Sequence, residues 1–257
     1  MNVQQLFDLT GKVAVVTGGS RGLGLQIARG LGEAGARVII TARKESELSE
    51  AVAELEAEGI DATAVRCDLS DVESLSGVVD GILQSYGQID ILVNNAGATW
   101  GAVTEEYPLS GWRKVIETNV TGLFYLTQAV GVHMIQRGAG GRIINIASVA
   151  GLKGSHPRVL QAVGYSASKG AVIALTKDLA VKWAQHGITV NAIAPGFFPT
   201  KMSQFVIALN EELILDHIPL HRFGSEDDLK GPVLLFASAA GAYITGQVLA
   251  VDGGETA

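Results

Sequence analysis

Tyr165 and Lys169 are the residues whose types and spacing point most directly to proton transfer. They belong to the segment Tyr-Ser-Ala-Ser-Lys, and a spacing of four places two side chains one turn apart on the same helical face. A tyrosine hydroxyl ordinarily titrates near pH ~10, but a neighbouring ammonium favours the phenolate and lowers this pKa. The pair therefore predicts a general acid–base centre. The alternative is a chance occurrence of a common spacing.

A glycine-rich segment near the start of the chain predicts a phosphate-binding turn. Residues 17–24, Thr-Gly-Gly-Ser-Arg-Gly-Leu-Gly, follow the first predicted strand and begin the first predicted helix. Gly18, Gly22 and Gly24 permit a tight turn that a pyrophosphate can approach closely, and the helix N-terminus favours an anion. Their G-x-x-x-G-x-G spacing differs from the common G-x-G-x-x-G pattern, so an ordinary turn between strand and helix is the alternative.

The residues after the second predicted strand bear on the choice of cofactor. NAD-binding versions of this arrangement carry an acidic residue there, whereas this chain has Thr41-Ala42-Arg43-Lys44. Arg43, together with Arg21 in the glycine-rich segment, could bind the 2′-phosphate of NADP. NADP(H) is therefore the expected cofactor, in preference to NAD(H). The alternative is a pair of solvated surface arginines.

Three further polar positions follow predicted strands. Asp68 could accept a hydrogen bond from an adenine amino group, or it could cap a helix instead of Ser70 or Asp71. Residues 94–97, Asn-Asn-Ala-Gly, are small enough for a cofactor to lie across them, although they also suit a plain turn. Ser148 could hydrogen bond to the substrate oxygen that Tyr165 protonates, or only cap its strand.

The elements that must position these residues alternate along the chain. Seven short runs rich in Val and Ile predict strands buried on both faces, at residues 12–17, 37–41, 62–67, 89–94, 142–147, 189–194 and 247–251. Helical periodicity fills the segments between them. Right-handed crossovers then place helices on both faces of a parallel sheet. We predict an α/β fold: a single doubly wound Rossmann-type domain over residues 1–257 with a parallel seven-stranded sheet.

Composition restricts the class of protein. The 26 Asp and Glu residues outnumber the 19 Lys and Arg residues, which argues against non-specific binding of nucleic acid. Cys67 is the single cysteine, so no intramolecular disulfide or multi-cysteine metal site is expected, and no other metal-ligand cluster is evident. The N-terminal residues lack a secretory pattern and no apolar run is long enough to span a bilayer. We therefore expect a cytoplasmic protein without a membrane anchor.

Taken in order, these motifs resemble the short-chain dehydrogenase/reductase family from Gly11 to Gly254. The resemblance rests on residues 17–24, Asp68, 94–97, Asn119, Ser148, Tyr165, Lys169, Pro195-Gly196 and 251–254. It implies that Tyr165 is the acid in reduction and the base in oxidation, and that Ser148 orients the carbonyl. It also implies that Lys169 binds the nicotinamide ribose and that Asn119 holds a water linked to Lys169.

The resemblance also implies a cofactor-binding set in which residues 193–200 flank the nicotinamide. With the glycine-rich segment and the strand ends, the expected set is Gly18, Ser20, Arg21, Gly22, Leu23, Gly24, Arg43, Asp68, Leu69, Asn95, Ala96, Gly97, Tyr165, Lys169, Pro195, Gly196 and Thr200. The expected reaction is hydride transfer between NADP(H) and a ketone or secondary alcohol. A non-catalytic NADP-binding regulator is the less favoured alternative, because Asn119, Ser148, Tyr165 and Lys169 are all present.

The candidate substrate-pocket residues do not settle the substrate. They are Trp100, His156, Phe197, Phe198 and Met202. Such an aromatic, apolar rim favours a hydrophobic ketone over a sugar acid. The long segment at 149–164 and residues 196–202 nevertheless resemble a gluconate 5-dehydrogenase-like subgroup, close to 3-oxoacyl reductases. Lys153, Arg158 and Lys201 keep a sugar-acid dehydrogenase open as the alternative.

Two expectations concern larger pieces of the chain. The helical segments 112–136 and 163–185 are long, and the second carries apolar residues on more than one face. The resemblance implies a homotetramer built partly from these helices. Residues 197–220, which follow Pro195-Gly196, are expected to form a mobile lid that excludes water from the reaction. A rigid, permanently packed helix is the alternative for this segment.

Overall fold

The short Val- and Ile-rich runs form the seven strands of one parallel sheet. In the computed structural model, which describes residues 1–257, they pair in the order β3-β2-β1-β4-β5-β6-β7. Their bounds are β1 Val13–Thr17, β2 Arg37–Ala42, β3 Ala62–Arg66, β4 Ile91–Asn94, β5 Gly141–Ile146, β6 Ile188–Pro195 and β7 Val248–Val251. The predicted fold class is confirmed, and strand ends differ from the predicted ones by at most two residues.

Nine α-helices connect or follow the strands. They are α1 Val3–Phe7, α2 Gly22–Glu33, α3 Glu45–Ala57, α4 Leu75–Tyr86, α5 Leu109–Ile116, α6 Leu123–Arg137, α7 Val163–Trp183, α8 Gln204–Asp216 and α9 Lys230–Ala237. A π-helical turn, Glu117–Gly122, joins α5 to α6, so the predicted helical segment 112–136 is continuous but not uniformly α-helical. No helix is both long and apolar enough to cross a bilayer.

The strand residues alternate between two apolar cores, one on each face of the sheet. Ala14 and Val16 of β1 pack in the core that α2, α3 and α9 cover. Val13 and Val15 pack in the core that α4, α6 and α7 cover. This period of two explains why both faces of each central strand are apolar in the sequence. Cys67 belongs to the second core, where burial raises the pKa of its thiol to about 11.

Strands β1 and β4 are parallel neighbours at the centre of the sheet. From this point β2 and β3 extend the sheet to one side, and β5, β6 and β7 extend it to the other. At such a point the connections leave to opposite sides, and a crevice opens beyond the carboxyl ends of the strands. The residues that follow β1, β2, β4 and β5 therefore meet at one edge. These are the positions at which the sequence places its glycine-rich turn, its basic pair, residues 94–97 and Ser148.

Candidate active site

A cleft of about 1000 Å³ lies at the carboxyl edge of the sheet. All of the predicted cofactor-binding residues line it, as do Ser148, Tyr165 and Lys169. The glycine-rich turn and the Tyr-Lys pair are 141 residues apart in sequence (165 minus 24), yet they face one cavity. The cleft therefore joins a nucleotide-sized groove to the proposed proton-transfer residues.

At two positions of the glycine-rich turn, Gly18 and Gly24, any side chain would clash with neighbouring backbone atoms. Gly18 has a φ of +64°, and a Cβ there would lie 2.9 Å from the Cα of Ala96. A Cβ on Gly24 would lie 2.2 Å from the carbonyl oxygen of Gly18. The N-terminus of α2 receives no side-chain cap from Arg21, so its first-turn amides are free to bind an anion. This geometry fits the pyrophosphate of a dinucleotide.

Thr17 ties the end of β1 to the turn that follows β4. Its hydroxyl oxygen accepts hydrogen bonds from the main-chain amides of Asn95 and Ala96, each at 3.0 Å. The Asn95 side chain donates in return to the carbonyl oxygen of Thr17 at 2.9 Å. Residues 94–97 are thus held against the glycine-rich turn as part of the floor of the cleft, a more specific role than a plain turn.

A tight packing contact fixes Ser148 relative to the helix that carries Tyr165. Ser148 follows β5, and its hydroxyl accepts a hydrogen bond from the amide of Ala150 at 3.2 Å. The single turn that follows packs on α7 at Gly151, where a Cβ would lie 2.6 Å from the carbonyl carbon of Lys169. The serine and the tyrosine therefore reach the cleft from two elements that are in direct contact.

Lys169 is buried beneath Tyr165 and anchored to the sheet. Its ammonium donates to the carbonyl oxygen of Ile146 at 2.7 Å and lies 5.6 Å from the centre of the Tyr165 ring. Burial lowers the pKa of Lys169 to about 8, because the charged form loses hydration. The lysine nonetheless remains mostly protonated at neutral pH.

The pKa of Tyr165 differs from the expectation drawn from sequence. Burial raises it above the ordinary tyrosine value, and a hydrogen-bonding interaction with Ser148 acts in the opposite direction. In the protein alone, desolvation of the phenolate outweighs the effect of Ser148. An oxidised nicotinamide bound beside Tyr165 would add a positive charge, which acts to lower this pKa.

Asn119 lies in the π-helical turn and does not line the cleft. Its side-chain oxygen accepts a hydrogen bond from the amide of Ala98 at 2.7 Å, and its side-chain amide donates to the carbonyl oxygen of Ala98 at 2.9 Å. The same amide group donates to the Ser168 hydroxyl at 3.0 Å. Asn119 thus fastens the chain after β4 to α7, next to Lys169.

Charged side chains surround the end of the cleft beyond β2. Arg21, Arg43, Lys44 and Lys201, here called the basic cluster, all line it. Arg21 forms an ion pair with Glu47 at 2.9 Å. At the neighbouring Asp68, burial raises the carboxyl pKa, but hydrogen bonds from Ser70 and the charges of Arg43 and Arg66 outweigh it and hold the pKa below its ordinary value. The end of β2 presents cations, not a carboxylate.

The predicted substrate residues separate into two groups. Met202 and Phe198 line the cleft, although Phe198 is also 96% buried in the core. Trp100, Phe197 and His156 are not among the lining residues. Trp100 packs on Gly111, where a Cβ would lie 2.6 Å from the indole ring. His156 is exposed and accepts a hydrogen bond from the amide of Arg158 at 3.2 Å.

The predicted lid begins over the glycine-rich turn. The side chain of Thr200 lies beside Gly22, whose Cβ would be 3.5 Å from the Thr200 methyl group. The helix α8 that follows is interrupted at Asn210, where φ is −137° and ψ is 25°. Ile214 is its single buried residue, so α8 lies on the protein with few apolar contacts.

Sequence reasoning missed Glu47, the acidic residue that lines the cleft within the basic cluster. It lies in the first turn of α3 and accepts a hydrogen bond from Lys44, three residues earlier, at 3.0 Å. The spacing of three residues between Lys44 and Glu47 could have indicated this contact from the sequence, because side chains three apart are neighbours on a helix. The contact with Arg21 spans 26 residues and had no local signature.

Comparisons with known proteins agree with this geometry. The family model described as short chain dehydrogenase matches residues 12–210. A gluconate 5-dehydrogenase of Gluconobacter oxydans is 40% identical, and the alignment covers 100% of this chain and 99% of that protein. A 3-oxoacyl-[acyl-carrier-protein] reductase of rhamnolipid biosynthesis from Pseudomonas aeruginosa is 41% identical, with 96% and 97% covered.

A solved structure extends the likeness to the backbone. The gluconate 5-dehydrogenase from Burkholderia cenocepacia, in complex with NADP and tartrate, superposes with a TM-score of 0.93. It is 36% identical to this chain, and the match covers 99% of both chains. Sequence and fold therefore point to the same group of proteins over nearly the whole chain.

Proposed function

This chain belongs to the short-chain dehydrogenase family, and we propose that it transfers a hydride between NADP(H) and a ketone or the corresponding secondary alcohol. The observation that carries the proposal is the convergence of Ser148, Tyr165 and Lys169 on the cleft that the glycine-rich turn also lines. A non-catalytic binder has no need of a buried lysine held 5.6 Å from the ring of a cleft-lining tyrosine.

A nicotinamide dinucleotide held by the glycine-rich turn, Lys169 and the chain after β6 would supply the hydride chemistry at the substrate carbon. The Tyr165 hydroxyl gives its proton to the carbonyl oxygen in reduction, and the Tyr165 phenolate takes the proton of the alcohol in oxidation. Ser148 donates a second hydrogen bond to that oxygen and holds it in place. Lys169 stabilises the phenolate of Tyr165 by its charge, and Asn119 positions the surrounding chain through Ala98 and Ser168.

NADP(H) is the preferred cofactor in this proposal. Ala42 ends β2 where an NAD-binding site requires a carboxylate, and the cations of the basic cluster lie around this position. Arginine suits a phosphate because its planar group offers several donors in a fixed geometry. Solved relatives with bound NADP have a similar fold, which supports binding of a nicotinamide dinucleotide at this site.

A sugar acid is the second candidate substrate. Three of the five predicted pocket residues, Trp100, His156 and Phe197, do not line the cleft, so the apolar rim that favours a hydrophobic ketone is only partly formed. Relatives named as gluconate-type dehydrogenases also support it. A panel of aliphatic ketones, 3-oxoacyl thioesters and keto sugar acids, each tested with NADPH and NADH, separates the two candidates.

Replacement of Tyr165 by phenylalanine tests the catalytic assignment. Tyr165→Phe keeps the ring and removes the transferable proton, so kcat on the best substrate of the panel should fall by about 100- to 10,000-fold. The dissociation constant for NADPH, read from its fluorescence, should stay within about threefold of the wild type. Tyr243→Phe, at a fully exposed tyrosine, is the matched control. A folded Tyr165→Phe protein with wild-type turnover contradicts the assignment.

A further inference from the structure

One acidic side chain lies within the basic cluster that surrounds the end of β2. Glu47 projects from the first turn of α3, and a single carboxylate oxygen, Oε1, accepts hydrogen bonds from Arg21 at 2.9 Å and Lys44 at 3.0 Å. Lys201 also acts on Glu47 through its charge. The carboxylate thus engages cations from three segments: the glycine-rich turn, the start of α3 and the chain after β6.

The environment of Glu47 keeps it charged. The hydrogen bond from Lys44 holds the pKa of Glu47 below its ordinary value, although burial opposes this, and the charges of Arg21 and Lys201 contribute in the same direction as Lys44. The side chain of Glu47 is 25% exposed, whereas those of Arg21 and Lys44 are 53% and 65% exposed. The carboxylate therefore lies between two cations that are more exposed than it is.

A phosphate that approaches the basic cluster needs the same donors. The 2′-phosphate of NADP carries between one and two negative charges at neutral pH, as phosphomonoesters do. If Glu47 stays on Arg21 while the phosphate binds, two anions share one guanidinium and repel each other. If Arg21 turns to the phosphate, the ion pair with Glu47 is broken. In both cases Glu47 weakens binding of the 2′-phosphate. It does not affect binding of NAD(H), which lacks this phosphate.

We propose that Glu47 is a specificity-determining residue that competes with the cofactor 2′-phosphate for Arg21 and Lys44 and so limits the preference for NADP(H) over NAD(H). The proposal rests on the proposed function, since it places the phosphate at the basic cluster. Arg43 also lines the cleft and forms no salt bridge, although its charge acts on Asp68. It is therefore the cation of the cluster that Glu47 does not hold.

Calorimetric titration with two small nucleotides tests this role without any turnover. Adenosine 2′,5′-bisphosphate carries the distinguishing phosphate and adenosine 5′-monophosphate lacks it. Glu47→Gln should tighten the bisphosphate by about fivefold, the size of a favourable exposed ion pair, and change the monophosphate by less than about twofold. Glu50→Gln is the matched control, because Glu50 is exposed on the same helix and has no ion pair.

Each outcome decides the proposal. An unchanged ratio of the two affinities in Glu47→Gln overturns it, and so does weaker binding of the bisphosphate, which would make Glu47 an organiser of the cations. In an Arg21→Ala background, Glu47→Gln should change the ratio by less than in the wild type, because the shared partner is gone. Equal binding of the two nucleotides by the wild type would contradict the proposed NADP preference. The role of Glu47 is tested separately, by whether Glu47→Gln changes the ratio of the two affinities.

Discussion

At the scale of single residues, the proposed preference for NADP(H) depends on the charge of the chain after β2. Arg43 lines the cleft and forms no salt bridge, although its charge acts on Asp68, whereas Arg21 is paired with Glu47 at 2.9 Å. A cation that no carboxylate contacts directly offers more of its attraction to a phosphate. Arg43 is for this reason the residue at which a single substitution should separate the two cofactors most clearly.

We expect Arg43→Ala to lower kcat/KM for NADPH by about 10- to 150-fold, the effect of losing a charge-assisted contact of about 1.5–3 kcal/mol. The value for NADH should change by less than about threefold, because NADH lacks the phosphate. Arg37→Ala is the control, since Arg37 is a cation at the opposite end of the same strand. Wild-type protein that uses NADH as well as NADPH contradicts the predicted preference.

Burial sets the charge of Lys169 and makes the stability of the protein depend on pH. Its pKa falls from 10.5 to about 8 in the folded state, so between these values the unfolded chain binds more protons than the folded one. Stability attributable to Lys169 therefore rises with pH from about 8 towards 10.5. Above about pH 10, the raised pKa of Tyr165 has the opposite effect, because the unfolded tyrosine ionises first.

Urea unfolding of wild type and Lys169→Met at pH 7.5 and pH 9.5 measures this contribution. From pH 7.5 to pH 9.5, the free energy of unfolding of the wild type should rise by about 1–2 kcal/mol relative to that of Lys169→Met. Lys177→Met, at an exposed lysine of the same helix, should follow the wild type at both pH values. A constant difference between wild type and Lys169→Met would show that Lys169 is not desolvated as the structure has it.

At the scale of elements, the site depends on contacts between turns that come from different strands. Gly151 packs on α7, Thr17 binds the turn after β4, and Asn119 binds Ala98. Each contact joins a loop to an element that is itself fixed in a core. In contrast, α8 contributes one buried residue and is interrupted at Asn210, so few packing contacts restrain it.

We propose that residues 197–220 form a lid, and amide hydrogen exchange tests whether it closes. Segments with few buried contacts open most easily, and a ligand that contacts the closed form slows their exchange. Exchange across 197–220 should be fast in the free protein and slow by about tenfold with NADP⁺ and the alcohol product of the best substrate of the panel together. Peptides from β6 provide the internal reference. Protection of 197–220 equal to that of β6 before any ligand is added would identify a fixed wall.

At the scale of the whole molecule, the sheet is covered on both faces but several helices keep exposed apolar side chains. On α6 these are Tyr125 and Val132, each close to half exposed, and on α7 they are Val163 and Val181. Apolar surface on helices that already pack against a sheet indicates a further partner. A second copy of the same chain is the simplest partner, in line with the family resemblance.

We propose a homotetramer and expect light scattering at micromolar concentration to give about four times the chain mass of 26.8 kDa. Val132→Glu should lower this mass, because a charge buried in an apolar interface without a partner is strongly unfavourable. Val3→Glu, on the exposed face of α1, should leave it unchanged. A wild-type mass near 26.8 kDa would contradict the proposal.

The sequence by itself determined the strands, the glycine-rich turn and the Tyr165–Lys169 face. These features depend on patterns within a few residues: apolar runs of strand length, glycines where a Cβ cannot fit, and a spacing of one helical turn. Local patterns carry such information because backbone geometry repeats with a fixed period. The same periodicity placed the strand ends within two residues of their positions in the structure.

Only the tertiary structure decided which distant residues meet and how far each is buried. It brought Arg21 to Glu47, fixed Asn119 on Ala98, and buried Phe198 while it left Trp100 outside the cleft lining. It also reversed the expected shift of the Tyr165 pKa in the protein alone. These outcomes depend on the packing of elements far apart in the chain, and on the loss of hydration that follows from it.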